Sequence, residues 1–457
     1  MASIAEATIA ALQEHISQYP SIKLFTPENS DFENVQSCFV RRPARPIAVV
    51  RPQTAEDVQA LIQFCVHNNV EFVIRGGGHD CAGRSQVYQA LTIDMRDIQY
   101  VHISKDKTTA SVGGGILIRD FTRILGEQGL VTPVGTIATV GYTGWATLGG
   151  YGPFSTSHGV GADQIVAAKL VNSKAEIVEA NEELLRGMRG GGGIFGVIVE
   201  LTVKVYPLKE ILASTLVFES NNLQAAWATY AKGFEDLLAK EGLPRALQLQ
   251  PFGIEFPGLG KVLAIGASWT SDDQGEGLRW IDKIASLGNC ALKLTKSTSL
   301  TAYCEDNEKL VVWGSYGRTH TVSFKNYTPK TAQILAKYAE LLPGGSPSFG
   351  IHMLRASVAS TESVFGSRVQ HHMLEIVSLT PDVAMEEKAA AWALSFKKEL
   401  RENDPDNVLD SSYVALLDDD DADWKKIYGS HYETLLGLKR KYDPDNVFKH
   451  AIPKLHT

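Results

Sequence analysis

The sequence predicts an α+β protein of two domains, and three observations predict it. Residues from about 35 to 207 alternate short β-type runs, helical stretches and glycine-dense turns. After Pro207 glycine density falls, and long helical stretches mix with strand-like runs, as expected for an α+β unit built on an antiparallel sheet. The last fifty or so residues end in Lys441-Tyr442-Asp443-Pro444-Asp445-Asn446-Val447-Phe448, a polar turn unlike either interior. The expected division is therefore 1–207, 208–404 and 405–457. At 457 residues the chain is long enough for more than one core.

Taken in order, residues 1–17 read as an amphipathic helix carrying Glu6, Glu14 and His15. Residues 55–67 place Val58, Leu61, Ile62 and Cys65 at helical spacing. That helix feeds an apolar strand at 70–74, which ends in Arg75-Gly76-Gly77-Gly78-His79-Asp80. Residues 91–94 and 109–112 read as further strands, the second running into Gly113-Gly114-Gly115. Residues 182–188 read as helix and 197–205 as strand. Beyond Pro207, 223–237 and 329–342 read as helices, and 214–218, 261–267, 310–313 and 370–378 as strands. The run Asp418-Asp419-Asp420-Asp421 reads as a solvated approach to a helix, with Asp423 before Trp424 in its first turn.

Bulk properties narrow the function classes. Hydrophobic residues make up 44% and charged residues 21%, the balance of an ordinary globular protein. A formal net charge of −8 with no basic tract argues against a nucleic-acid partner. The N-terminus has no basic n-region or unbroken apolar stretch, and no run of about 18 apolar residues exists. A cytoplasmic protein without a membrane partner is expected. The five cysteines (Cys38, Cys65, Cys81, Cys290 and Cys304) are scattered and show no paired zinc-ligand spacing, so neither a disulfide framework nor a metal is expected.

Three glycine clusters carry the chemistry. The first follows a strand and ends in His79. Glycine permits positive φ and leaves consecutive amides free to face a phosphate, although a tight surface loop has the same composition. The second, Gly141-Tyr142-Thr143-Gly144-Trp145-Ala146-Thr147-Leu148-Gly149-Gly150-Tyr151-Gly152, has Gly135 just upstream and too many glycines for a stable helix. Close backbone approach to a planar cofactor would need it; so would a connection between domains. The third, Gly190-Gly191-Gly192-Gly193-Ile194-Phe195-Gly196, formally contains G-x-G-x-x-G. The dinucleotide fingerprint needs a strand before it and a helix after it, and here the order is reversed.

These clusters and the tail at 442–448 together resemble the vanillyl-alcohol oxidase superfamily in its berberine-bridge-enzyme-like branch, of the fungal secondary-metabolism type. The first matches R-S/G-G-G-H, with Gly83 and Ser85 further on; the second matches G-G-H-x-x-G-G-G-Y/F-G; residues 189–197 match R-G-G-G-G-x-F-G-V; the tail matches Y-D-P-x-N-V-F. The resemblance covers most of 35–207 and the last fifty residues, and is weak over 208–400. It implies a two-domain PCMH-type FAD-binding fold. Two α/β subdomains would surround FAD, the C-terminal segment would return to them, and 208–404 would form an antiparallel-sheet substrate domain. It further implies that His79 carries FAD through its imidazole on the 8α-methyl carbon, with Gly76, Gly77, Gly78 and Ser85 at the pyrophosphate; a non-covalent flavin beside His79 is the alternative. Other implied cofactor contacts are Arg75, Asp80, Gly83, Gly135, Thr136, Val140, Gly141, Gly144, Trp145, Gly149, Gly150, Tyr151, Gly196, Ile198 and Asn446.

Departures from the family pattern shape the expectation. The second cysteine tether of many relatives falls at Ile137, so one covalent bond is expected. The family's histidine after Gly144 is Trp145, which with Tyr142 is expected to wall the flavin ring unless both pack in the core. Tyr413-Val414-Ala415 keeps the tyrosine of Y-x-N but not its amide, and Tyr413 is the expected catalytic residue. Hydride transfer to flavin is eased by a base that takes the substrate proton. Arg318, His320, His352, Arg368, His371 and His372 are further candidates, although each histidine alone is most simply structural. Alternation would put Arg368, Gln370 and His372 on one strand face and His371 on the other. The expected activity is FAD-dependent oxidation of a small aromatic or polycyclic metabolite with molecular oxygen as acceptor. The alternatives are a flavin-containing cyclase without net oxidation and a non-catalytic flavin carrier.

Overall fold

The computed structural model describes residues 4–355, 360–419 and 422–455. Helices α1 (Ile4–Ile16) and α2 (Ala55–His67) pack their apolar sides on a sheet of β1 (Lys23–Phe25), β2 (Ala48–Arg51), β3 (Phe72–Arg75) and β4 (Leu91–Asp94). The strand order is β1-β2-β4-β3, parallel except for β1. Thr54 and Asp57 close a capping box at the start of α2, which fixes the helix that delivers β3.

A second unit contains β5 (Val101–Ile103), β6 (Thr109–Gly113), α3 (Ile118–Gly126), α4 (Tyr142–Thr147), β7 (Ile165–Val171), β8 (Ile177–Glu179), α5 (Glu182–Gly191) and β9 (Val197–Lys204). Its strands run β5-β6-β9-β7-β8 and every pair is antiparallel, so this subdomain is not the α/β unit the resemblance implied. The link between β7 and β8 is too short for a parallel crossover. Helix α4 also corrects the sequence reading. Gly144 lies on its exposed side while Tyr142, Thr143, Trp145, Ala146 and Thr147 are buried, and that burial outweighs the ~1 kcal/mol glycine penalty.

The third unit is an eight-stranded antiparallel sheet. It comprises β10 (Ile211–Phe218), β11 (Leu247–Phe256), β12 (Gly260–Trp269), β13 (Cys290–Thr298), β14 (Thr319–Phe324), β15 (Ser348–Leu354), β16 (His371–Val377) and β17 (Val408–Leu409), in the order β13-β10-β12-β11-β15-β16-β14-β17. Helices α6 (Leu223–Glu241), α7 (Gln274–Ala285), α9 (Pro329–Glu340) and α10 (Glu386–Asn403) cover one face, with Trp227, Tyr230, Phe349 and Phe396 in the core between them. Helix α8 (Leu300–Glu308) behaves differently: Leu300 and Cys304 pack into the core of the second unit with Ile118 and Phe121. Residues 310–313, expected as a strand, form the turn leaving α8. They lack a partner strand, and Leu310 and Val312 are exposed.

The chain then returns to the first domain. Helix α11 (Tyr432–Tyr442) ends in a buried Lys439–Asp443 pair at 2.5 Å, and Phe448 packs edge-on against Phe72 at the start of β3. The acidic run is not simply solvated. Asp418 pairs with Arg318, and Asp419 with Arg84 at 3.0 Å and Lys454 at 2.6 Å, while Asp423 caps the helix Trp424–Tyr428. Asp420 and Asp421 lie outside the described residues.

Candidate active site

The loop leaving β3 is buttressed from behind. Arg75, expected as a cofactor contact, is 1% exposed and committed to the protein itself. Its Nη2 donates to Asp94 Oδ2 at 2.7 Å and to the Val35 carbonyl at 2.6 Å, and its Nη1 donates to the Gln36 carbonyl at 3.0 Å. Burial pushes the Asp94 carboxyl up, but Arg75, Arg96 and Arg51 outweigh it and hold the group below the usual carboxylate range. Past His79, Asp80 Oδ1 accepts the Ala82 and Arg84 amides at 3.1 and 2.8 Å and pairs with the Arg84 guanidinium, closing the turn that carries Gly83 and Ser85. Arg75 and Asp80 thus shape the loop from its protein side.

The first two glycine clusters meet backbone to backbone. A Cβ on Gly77 would lie 2.3 Å from the Gly141 nitrogen and 2.6 Å from the Thr139 oxygen, whereas one on Gly76 would find nothing within 4 Å. The amides of Gly77, Gly78 and His79 have no acceptor among the described residues. Successive amides without a protein acceptor, next to the open space at Gly76, fit the pyrophosphate of a dinucleotide.

Farther along, the second cluster turns inward. Trp145 fits against Gly135, Gly150 and Gly161 and donates Nε1–H to the Tyr151 carbonyl at 3.1 Å, while Tyr142 meets Phe121 edge-on. The expected aromatic wall is therefore part of the core, because the glycines leave an indole-sized space inside. The Val140 carbonyl accepts the Ile118 amide, and Gly149 presses on Phe365. The third cluster is a packing device: Gly190 touches the Phe365 backbone, and Gly196 touches Leu170 and Val171. Ile198 lies in β9, and Asn446 sits in the turn before Phe448, at the opposite end of β3 from the glycine loop.

Strand register decides which side chains of the sheet face this loop. His352 opposes Met373 and Leu354 opposes His371, so His352, His371, Met373 and Glu375 share the uncovered face. His372 points the other way, stacked on Phe324 in the helix-covered core, where burial lowers its pKa to about 3. The expected grouping of Arg368 with His372 fails because β16 begins only at His371; Arg368 pairs with Asp163 at 2.7 Å. On the uncovered face His352 Nε2 lies 3.0 Å from Gln250 Nε2 and 3.2 Å from Glu375 Oε2. A small cavity lined by Thr136, Gln250, Ser268, Tyr303 and His352 opens beside them. His371 Nδ1 donates to the Val369 carbonyl at 2.7 Å, which leaves Nε2 to accept the Tyr151 hydroxyl at 2.9 Å; burial lowers its pKa.

Tyr413 meets Tyr151 edge-on, its ring centroid 4.9 Å away. The Gly150 and Tyr151 amides approach the Tyr413 hydroxyl without reaching hydrogen-bond geometry, and burial pushes its phenol well above the usual value. Cys81, two residues past His79, is buried beside Thr319, whose register partner Val377 puts it on the same sheet face as Glu375. The histidine loop therefore meets the polar sheet face directly. His79 is stacked on Phe39 at 5.0 Å, edged by Trp313 at 4.9 Å, and has Nε2 2.7 Å from Thr139 Oγ1; burial lowers its pKa to about 3.

Sequence reasoning missed Glu375, Thr139 and Trp313. Counting alternation along 370–378 would have found Glu375 beside His371, but nothing in sequence tied residue 139 or 313 to residue 79. Among the described residues no helix is long and apolar enough to cross a membrane, and no cluster of metal-ligating side chains occurs.

Comparison with known proteins adds an independent line. A family model described as FAD binding domain matches residues 46–181, and one described as berberine and berberine like matches 412–453. The FAD-linked oxidoreductase aurO of Gibberella zeae is 32% identical over 450 residues, spanning 96% of this chain and 87% of that protein. The structure of 6-hydroxy-D-nicotine oxidase from Arthrobacter nicotinovorans superposes with a TM-score of 0.83 at 20% identity, covering 95% of this chain and 97% of that one. The glucooligosaccharide oxidase of Acremonium strictum, which carries a 6-S-cysteinyl, 8α-N1-histidyl FAD, gives 0.79 at 18% identity over 97% and 98%.

Proposed function

The chain belongs to the berberine-bridge-enzyme-like FAD-dependent oxidoreductases of the vanillyl-alcohol oxidase superfamily, and we propose that it oxidises a small aromatic or polycyclic metabolite using dioxygen as the final acceptor. FAD supplies the hydride acceptor, a chemistry no side chain offers. The Gly76–His79 backbone would hold the pyrophosphate, and His79 would bear the single covalent tether, since Ile137 offers no second nucleophile. Its neutral imidazole retains the lone pair such a bond needs, and the histidyl FAD of the Acremonium enzyme supports the same linkage.

One observation carries the reading: the His79 loop meets a sheet face that bears Glu375 and His352 and against which Tyr151 and Tyr413 pack. Glu375, positioned by His352, is the proton acceptor we assign for the substrate hydroxyl or amine. Tyr413 would act as a neutral phenol donating to substrate rather than as a phenolate, because burial disfavours its charged form. The Tyr151–His371 pair would keep the two tyrosine rings in place.

Anaerobic mixing with a panel of phenolic alcohols, amines and polycyclic hydroxy compounds tests this. Bleaching of the flavin absorption by a turned-over compound, and its return with peroxide on admitting air, is the expected result. Turnover without bleaching would replace the oxidase reading with the cyclase.

A further inference from the structure

We propose that Glu308 and Thr139 form a proton relay that promotes covalent attachment of FAD to His79. The proposal rests on the His79 tether proposed above. Glu308 belongs by sequence to the substrate region, yet α8 is pinned on the flavin side by Leu300 and Cys304, with Cys304 Sγ 3.6 Å from the Gly135 carbonyl. From there its carboxylate takes both donors of Thr139, the amide at 3.1 Å on Oε2 and the hydroxyl at 2.7 Å on Oε1.

That arrangement fixes the imidazole. The Thr139 hydroxyl has one proton and gives it to Glu308, so at 2.7 Å from His79 Nε2 its oxygen can only accept. His79 is then the Nε2–H tautomer, and the lone pair lies on Nδ1, which has no hydrogen-bond partner among the described residues. Phe39 and Trp313 hold the ring plane on two sides. When Nδ1 forms its bond, positive charge develops on the ring, and the Nε2 proton can pass to Thr139 as Thr139 passes its own to Glu308.

The balance is complete. One C–H bond of the 8α-methyl group and the imidazole N–H are broken, and one C–N bond is formed. The two electrons and two protons released reduce the ring system. Dioxygen then takes them as hydrogen peroxide, one per attachment. Thr139 and Glu308 end as they began, once the proton they carried is released.

Covalent flavin is measured directly, independently of turnover. Glu308→Gln, Thr139→Val and Thr139→Ser are purified, incubated with excess FAD in air, precipitated in acid at intervals, and read by pellet absorption and intact mass. We expect Glu308→Gln and Thr139→Val to bind FAD but to attach it at least tenfold more slowly than the wild type, and Thr139→Ser to attach it at the wild-type rate. Thr139→Val keeps the backbone bond to Glu308, so loop anchoring alone predicts no loss. Wild-type attachment rates in both Glu308→Gln and Thr139→Val would overturn the relay and leave the tether standing. Loss of FAD binding altogether in both would assign the pair a structural role and also overturn it. A wild-type protein with no flavin on His79 would remove the tether, and the relay with it.

Discussion

Replacing Gly77 by alanine tests whether contact between the two glycine loops builds the flavin site. The new Cβ would lie 2.3 Å from the Gly141 nitrogen and 2.6 Å from the Thr139 oxygen, about 1 Å inside ordinary contact distance. Both are backbone atoms, which cannot swing away as a side chain would. Overpacking of this kind costs ~1–3 kcal/mol, and backbone atoms on both sides place Gly77→Ala at the upper end, about 3 kcal/mol. For a unit of this size that lowers the melting temperature by roughly 6–12 °C. Relief by separation of the loops would also carry Thr139 away from His79. Gly76→Ala is the matched control, since its Cβ meets nothing within 4 Å. It should leave apoprotein stability within about 0.5 kcal/mol and instead weaken FAD binding by entering the open space. Circular-dichroism melts of the apoproteins and fluorimetric FAD titrations separate the two effects. An unchanged melt for Gly77→Ala, or equal destabilisation by both variants, would refute the reasoning.

Asp94→Asn should destabilise the protein by ~3–5 kcal/mol at pH 7 by leaving Arg75 buried and uncompensated, measured by urea unfolding. Because the folded Asp94 pKa lies below its unfolded value of about 3.9, that stability is present above pH ~4 and lost as pH falls through the folded value. The gap between wild type and variant should therefore be constant from pH 8 to 5 and narrow in more acid solution. Glu375→Gln should lower kcat by ~10²–10⁴ in stopped-flow flavin reduction while FAD content stays at the wild-type level. Tyr151→Phe leaves His371 Nε2 without its buried donor and should cost ~1–3 kcal/mol in the same unfolding assay.

The elements of the first domain were legible because their signals are local. The helical spacing at 58–65 and the apolar run after it settle α2 and β3 without any distant partner. The His79 loop was legible for the same reason: three glycines and a histidine at a strand end are contiguous. What escaped were features set by packing across hundreds of residues. Trp145 was expected against the ring, but its position depends on Gly161 and on how Gly135 folds back over it. Residues 310–313 have the composition of a strand, yet the sheet offers them no edge because α8 leads the chain to the flavin side. Glu308 ends an acidic, solvent-like stretch in sequence, and only the docking of α8 brings it to Thr139. The Arg75 side chain was misread because its carboxylate partner lies 19 positions away on a neighbouring strand.

The most direct measurement is proteolytic mapping of the flavin in the purified holoenzyme. The protein is denatured in acid, digested, and its fluorescent peptides are sequenced by mass spectrometry. One FAD attached to the peptide bearing His79, and none in the same protein with His79→Ala, is the expected result. FAD released wholly into the acid supernatant, or found on any other residue, would contradict the assignment of His79 as the flavin attachment site.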